Sequence, residues 1–465
     1  MRRVPLNFTR ILLAATAALA WLAASDARAQ MGGLIRDTEI ENTIRAYGAP
    51  IIDAAGLDPA ALHYYVVNDR QLNAFVAGGQ NIFVTTGLLR RAEHAGQVIG
   101  VLAHETGHIV GGHIAQLDQV VKEAGLQAMI AQILGTAVGV LTKNPNAIGV
   151  LGGAGVSTIG RALLHYNRGQ EQSADQAGLR FLDTAHMSAR GLYEFLDILS
   201  EQELLSSARQ DPYLLTHPLT RDRIDFVRTS TAQSRWSSTP VAVELNEMHK
   251  RMRAKLEGFL DPPQTTLLKY KETDRSLYAR YARAVALYRV PDIAAAVRTI
   301  DGLLADNPND PYFLELKGQM LFENGKIAES IAPFEASVKI LPNAPLLREM
   351  LGHALIEMNE PDKDALALTH LRHGLRIDPQ MPQAWRLAAT AYGRRGEMAM
   401  ASLCLAESNV IIGRREEARA QARRAKQGLK EGSPGWLRAE DILTATQKPG
   451  DEERERARER ERRGR

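Results

Sequence analysis

The sequence predicts a mainly helical chain with a small β-sheet near its N-terminus and an α-solenoid in its C-terminal half. Three observations carry this. Ala and Leu are plentiful and aromatics make up only 6%, a composition that favours helix. Two short runs rich in β-branched and aromatic residues, His63–Asn68 (HYYVVN) and Gln80–Thr85 (QNIFVT), read as strands. Past residue 262, Pro308, Pro342 and Pro379 each close a helical segment at spacings of 34 and 37 residues.

Composition bounds the function. Hydrophobic residues are 45% and charged residues 24% of 465, which excludes a chain disordered throughout. A net charge of +3 from 57 basic and 54 acidic residues calls for no nucleic acid partner. The single cysteine, Cys404, excludes an intrachain disulfide and a Cys-ligated metal centre. Any metal must be held by His, Asp or Glu. Residues 1–29 have the form of a cleaved signal peptide. Arg2, Arg3 and Arg10 precede the apolar run Ile11–Ala24, and Ala27-Arg28-Ala29 supplies a cleavage site before Gln30. That run is short for a span of about 20 residues, so the expectation is export, and a bacterial periplasm fits best; with one cysteine the mature chain cannot use disulfides there and needs a sizeable core.

Asp37 to Gly56 reads as an amphipathic helix with a breaker at Gly48-Ala49-Pro50, and a further helix is expected from about Glu93 to Gln119. Ala124–Gly160 holds one charge, Lys143, and is rich in glycine. Polar helical sequence resumes at Arg161 and runs to about Ser207. A Ser/Thr-rich stretch (Thr229–Pro240), one more helix and Asp261-Pro262-Pro263 place a domain boundary near residue 262.

In a 34-residue frame ending on the recurrent proline, Ala284, Gly318, Gly352 and Ala389 share the small-residue position. Leu287, Leu321, Leu355 and Tyr392 fall three positions later, and Ala296 and Ala401 sit where a second helix must pack closely. From Leu277 to Gly413 this resembles the tetratricopeptide repeat, a helix–turn–helix unit that stacks into a solenoid. Arg415, Arg419 and Arg423 read as a solvated helix face. The tail from residue 446 to 465, with interleaved acids and arginines, reads as disordered.

The chemistry is concentrated in His104-Glu105-Thr106-Gly107-His108. Two histidines four apart on a helix lie about 40° apart on one face, so both imidazoles can reach one zinc ion. Glu105 then projects beside them, placed to take a proton from an attacking water. A third ligand is needed. Gly111 and His113 suggest the metzincin pattern, but its third histidine would occupy position 114, which is Ile114. On a continued helix His113 points about 180° from His104, which makes it a surface or outer residue. Glu171 and Asp175, again four apart, offer one carboxylate to ligate and another to orient a ligating imidazole.

His104-Glu105-x-x-His108 with Glu171-x-x-x-Asp175, preceded by Asn73-Ala74-Phe75 and followed by His217-Pro218 and Arg223-Ile224, resembles the HtpX-like metallopeptidases. With the export signal and C-terminal repeats, the chain is most similar to their BepA-type periplasmic branch. The resemblance implies a gluzincin-type metalloprotease domain (30–262) followed by an α-solenoid of tetratricopeptide repeats (263–445). It implies one zinc per chain on His104, His108 and Glu171, with Glu105 as general base. Asp175, His217 and Arg223 would have supporting or regulatory roles, with His217 able to approach the metal and compete with the water. It further implies an edge strand, expected at Asn81, Ile82, Phe83 and Val84, on which an extended substrate backbone pairs.

The implied function is a periplasmic zinc endopeptidase that cleaves unfolded or misassembled proteins. Its setting would be quality control of outer-membrane proteins, with the repeats recruiting the assembly machinery. Residues 124–160 would form an apolar flap that covers the cleft or touches a membrane surface. Two competing readings are a chaperone-like repeat scaffold with a silenced site and an integral membrane protease with two spans in 124–160. Glu105→Gln separates the first from the enzyme, and alkaline extraction of membranes tests the second.

Overall fold

The computed structural model describes residues 33–113, 168–200, 213–214 and 217–447. The expected signal peptide, the apolar stretch 124–160 and the charged tail beyond Gln447 lie outside the described residues.

The first helix, α1 (Thr38–Ala55), starts at Asp37, whose side chain accepts a hydrogen bond from the Ile40 amide at 3.0 Å. It ends at Gly56 in the left-handed region. The expected breaker does not break it: Pro50 lies inside the helix. Tyr47, Ile51 and Ile52 on either side of the proline are buried in one core, and burial of about 1.5–3 kcal/mol per large side chain outweighs a proline penalty of about 3 kcal/mol.

Four strands follow the order β1-β2-β4-β3: β1 (Leu34–Ile35), β2 (His63–Val67), β3 (Ala74–Ala77) and β4 (Asn81–Thr85). β2 and β4 run parallel, with Tyr65 opposite Phe83, and β3 folds back antiparallel on β4 with Phe75 opposite Phe83. This corrects the expectation for Asn81, Ile82, Phe83 and Val84. β4 has a neighbour on each side and cannot add a substrate strand. The short apolar run before Gly78-Gly79 forms a strand of its own, and the glycine turn returns it onto β4. Among the described strands, β3 is the outermost on that side of the sheet.

α2 (Thr86–Arg91) leads to α3 (Ala95–Val110), which is buried over nearly its whole length. α3 packs against α4 (Arg168–Thr184) and α5 (Arg190–Ser200). The close approach of α3 and α4 depends on Gly107, where a Cβ would meet the Ala174 backbone oxygen at 2.6 Å. Within the described part of the polar helical stretch there are two helices, α4 and α5, and between them His186 takes a φ of 57°. α6 (Arg221–Gln233) and α7 (Val243–Leu260) complete this half.

α8 (Pro263–Lys269) precedes five antiparallel helix pairs. They are α9 and α10 (Leu277–Arg289, Ile293–Asp306), α11 and α12 (Pro311–Glu323, Ile327–Ile340), and α13 and α14 (Pro345–Glu357, Pro361–Ile377). α15 and α16 (Pro382–Arg394, Met398–Ile411) and α17 and α18 (Arg415–Gly428, Pro434–Ala445) follow. Pro311, Pro345 and Pro382 each open a first helix, where the missing N–H costs nothing. The small-residue positions do what the frame requires: Gly318 lies against the Phe334 ring and Gly352 against Leu371. The array extends one pair past Gly413. There Arg415 and Arg423 are exposed, as a solvated face requires, but Arg419 between them is buried, because Ala418, Ala422 and Ala425 pack that helix into a core with α18.

The two halves share more than a linker. Met252 and Leu256 of α7 belong to the first core, whereas Phe259 of the same helix packs on the first repeat. At the start of α1, Arg36 pairs with Asp378 at 2.7 Å and the Thr38 hydroxyl donates to Glu315 at 2.7 Å. Buried Glu39 accepts from the Tyr281 hydroxyl at 2.6 Å and pairs with Arg251 at 2.9 Å. Lys255 sits between Asp37 (2.7 Å) and Glu39 (3.4 Å). No described helix is long and apolar enough to cross a membrane.

Candidate metal centre

α3 and α4 cross so that His104, Glu105, His108, Glu171 and Asp175 all face one buried point, each 0% exposed. The helical spacing of the two motifs does this, and Gly107 brings the helices near enough. His104 Nε2 and His108 Nε2 are 3.1 Å apart. Glu171 lies 3.3 Å from His108 Nε2 through Oε1 and 3.6 Å from His104 Nε2 through Oε2. His217, from the segment before α6, joins them, with Nδ1 3.0 Å from Glu171 Oε1. One donor atom from each of His104, His108, Glu171 and His217 falls within 4.8 Å of the others.

This donor set fits a metal ion. Tetrahedral bonds of about 2.0–2.2 Å put neighbouring donors roughly 3.3–3.6 Å apart, close to the separations between the two imidazoles and Glu171. Glu105 supports the same reading. It is fully buried, and among the described residues neither carboxylate oxygen has a hydrogen bond. Its neighbour is His217 Nε2 at 3.5 Å. Burial raises the Glu105 pKa above the ordinary carboxylate value, against the pull of His217 and His104.

Asp175 and Arg223 form the support. His104 Nδ1–H donates to Asp175 Oδ1 at 2.9 Å, leaving Nε2 to face the cluster. Burial opposes charge on His104, but hydrogen bonds to Asp175 and Glu171 prevail and raise its pKa to about 10. Arg223 donates Nε to Asp175 Oδ2 at 2.7 Å and Nη2 to Oδ1 at 3.0 Å, and places Nη1 2.6 Å from Glu171 Oε2. Burial works against the Glu171 and Asp175 charges. His217 and the hydrogen-bonded imidazoles hold Glu171 well below the usual range; His104 and Arg223 hold Asp175 below it. Arg223 Nη1 also donates to the Pro218 carbonyl at 2.8 Å, which ties the His217 segment to the same support.

This cluster lies within the part of the chain that matches a known family. Residues 38–231 match the model described as peptidase family M48. The matched segment holds all of the clustered residues. With the repeats that follow, the chain is similar over most of its length to the beta-barrel assembly-enhancing protease of Yersinia pestis. That similarity is 26% identity over 393 residues, 83% of this chain and 79% of the relative. The protein of the same name from Escherichia coli (strain K12) is 24% identical over 408 residues, covering 86% and 81%. Among solved structures, the crystal structure of MamA covers 38% of this chain and 96% of its own, with 16% identity and a TM-score of 0.27.

Three features of the site escape sequence reasoning. Tyr213 stacks on His217 with ring centroids 4.4 Å apart. His217 Nε2 lies 3.3 Å from the Ala74 carbonyl oxygen on β3, so this histidine touches both the donor cluster and the sheet. His113 lies against His108, with their Nδ1 atoms 3.0 Å apart, and not on the far side of a continued helix. Asn73-Ala74-Phe75 and His217-Pro218, noted in the sequence as separate patches, are the available signal for the second contact.

Proposed function

We propose that the chain is an exported, periplasmic zinc-dependent endopeptidase whose substrates are unfolded or misassembled proteins, outer-membrane β-barrels among them. The observation that carries this is the convergence of three imidazoles and a carboxylate beside a buried, unbonded Glu105. In this reading residues 30–262 are the peptidase unit and 263–445 the repeat domain that recruits protein partners, the outer-membrane assembly machinery included. The names of the two relatives support that setting, as does the signal-like N-terminus.

His104, His108 and Glu171 would hold the metal. A zinc ion there would supply Lewis acidity, polarising the scissile carbonyl and acidifying water. Glu105 takes the proton of the attacking water and returns it to the leaving amine. Its raised pKa suits both halves of that transfer. Asp175 fixes the His104 tautomer, and Arg223 neutralises the two carboxylates and holds the His217 segment. An extended substrate would be held through its main chain, whose hydrogen bonds favour unfolded chains over compact ones. His217 contacts both Glu171 and the Ala74 carbonyl, so it would have to leave for substrate to enter, which supports a regulatory role.

Metal analysis of the mature protein, alongside cleavage of an unfolded protein, tests the assignment. About one zinc per chain, lost in His104→Ala and in Glu171→Ala, is the expected result. Glu105→Gln should keep the metal and lose turnover by on the order of 10²-fold or more. Cleavage unaffected by Glu105→Gln, or a metal-replete wild type without zinc, would leave the repeat-scaffold reading in its place.

A further inference from the structure

α3 ends before His113, so this residue is not carried away from His104 as on a continued helix, and of the two expectations for it the outer-residue one is met. The Gly112 amide donates to the Ile109 carbonyl at 3.1 Å, and the His113 amide to the His108 carbonyl at 3.2 Å. Gly112 has a φ of 63°, and these paired bonds are those of a Schellman turn. That turn usually closes with an apolar contact between the residue after the glycine and the one five before it. Here both positions are histidine. The turn lays the His113 ring against His108, with centroids 5.1 Å apart at 73° and Nδ1 atoms 3.0 Å apart.

We propose that His113 is a positioning residue for His108, accepting its Nδ1–H and so fixing the ring that presents Nε2 to the metal. This rests on the metal-peptidase reading above. His108 Nε2 faces His104 and Glu171. As a ligand it gives that lone pair to the metal, so its proton sits on Nδ1 and needs an acceptor. The described structure offers one, the lone pair on His113 Nδ1, with the His113 proton on Nε2. The two ligating imidazoles are therefore held differently. His104 leans on a fully buried carboxylate clamped by Arg223, and His108 leans on a neutral, half-buried ring placed by a glycine turn.

The test uses the mature full-length chain and three variants. His113→Leu removes the acceptor. Gly111→Ala leaves His113 in the sequence but displaces it, since a Cβ at Gly111 would meet the His113 ring at 2.5 Å and 2.6 Å. His113→Asn returns an acceptor oxygen near the Nδ1 position. Zinc affinity is read by competition with a chromophoric chelator, and ligand geometry by the visible spectrum of the cobalt-substituted protein. His113→Leu and Gly111→Ala should each weaken zinc by about 10–100-fold, the usual effect of losing an outer hydrogen bond to a ligand. Both should alter the cobalt spectrum while the metal-free melting temperature stays put. His113→Asn should stay nearer to wild type on both readouts. Zinc affinity and cobalt spectrum unchanged in His113→Leu would overturn the proposal, and so would a His113→Asn as weak as His113→Leu. A wild type that binds no zinc would instead sink the metal-peptidase reading, and this inference with it.

Discussion

At the scale of single residues, the protein contains buried groups whose charge state is set by what they touch. His249 is one outside the metal centre. It is fully buried beneath α2, and its Nε2–H donates to the Ala92 carbonyl at 2.8 Å. Burial lowers its pKa to about 4 despite that hydrogen bond. An unfolded histidine takes up its proton near pH 6.5, so between pH 6.5 and 4 the unfolded chain binds more protons than the folded one. Stability should therefore fall with pH across that window, by on the order of 3 kcal/mol, and change no further from this group below it. Denaturant titrations at pH 7 and pH 4.5 measure this, and His249→Gln should flatten the difference. Arg223 makes a different demand. It bridges Asp175 and Glu171 with a planar fork, which a lysine cannot reproduce. Arg223→Lys should weaken zinc binding by about 10-fold or more while charge is kept, as read by chelator competition.

At the scale of elements, the site is the meeting of α3 with α4; periodicity puts each motif on one helix face, and only the family resemblance joins Glu171 and Asp175 to the two histidines. His104 with His108, and Glu171 with Asp175, are pairs spaced four apart, so each pair shares a face wherever its helix goes. What periodicity could not give is where helices stop or strands turn. Gly112 at positive φ ends α3 and sends His113 back onto His108, whereas a continued helix would send it away. The four residues of β3, two of them alanine, carry too weak a pattern to be read as a strand, which led to β4 being taken as the edge. Nor does any local pattern reveal that α1 tolerates Pro50, since that depends on a core assembled from distant segments. Packing of α3 on α4 leads to a further expected outcome. Gly107→Ala would press a methyl group onto the Ala174 backbone, at 2.6 Å from its oxygen and 2.9 Å from its Cα. Overpacking of this kind costs about 1–3 kcal/mol. Because the strain separates the two ligand-bearing helices, zinc content should fall along with the melting temperature.

At the scale of the whole molecule, a buried charge network joins the halves. Asp37 and Glu39 from the start of α1, Lys255 and Arg251 from α7, and Tyr281, Asp310 and Glu315 from the repeats meet within hydrogen-bonding range. Burial raises the Glu315 pKa to about 8 even though Lys255 lowers it. Lys255→Met should be costly, by about 3–5 kcal/mol, because it takes the cation from Asp37 and leaves Glu39 with Arg251 alone. Calorimetry should show the loss in both halves together, as one lowered transition. None of this was legible in the sequence, where Glu39 and Tyr281 stand 242 positions apart.

The shared helix α7 has a consequence for how such chains can be recombined. A sequence boundary at Asp261-Pro262-Pro263 looks like a natural splice point, yet α7 supplies Met252 and Leu256 to one core and Phe259 to the other. A chimera joined at residue 262 with the repeats of a distant relative would set a native α7 against a foreign first repeat. Moving α7 with the repeats shifts the mismatch to its other face. Exchange of repeats between relatives therefore has to carry the two faces of one helix as matched parts, and the outer pairs, α15 to α18, are freer to change than the junction.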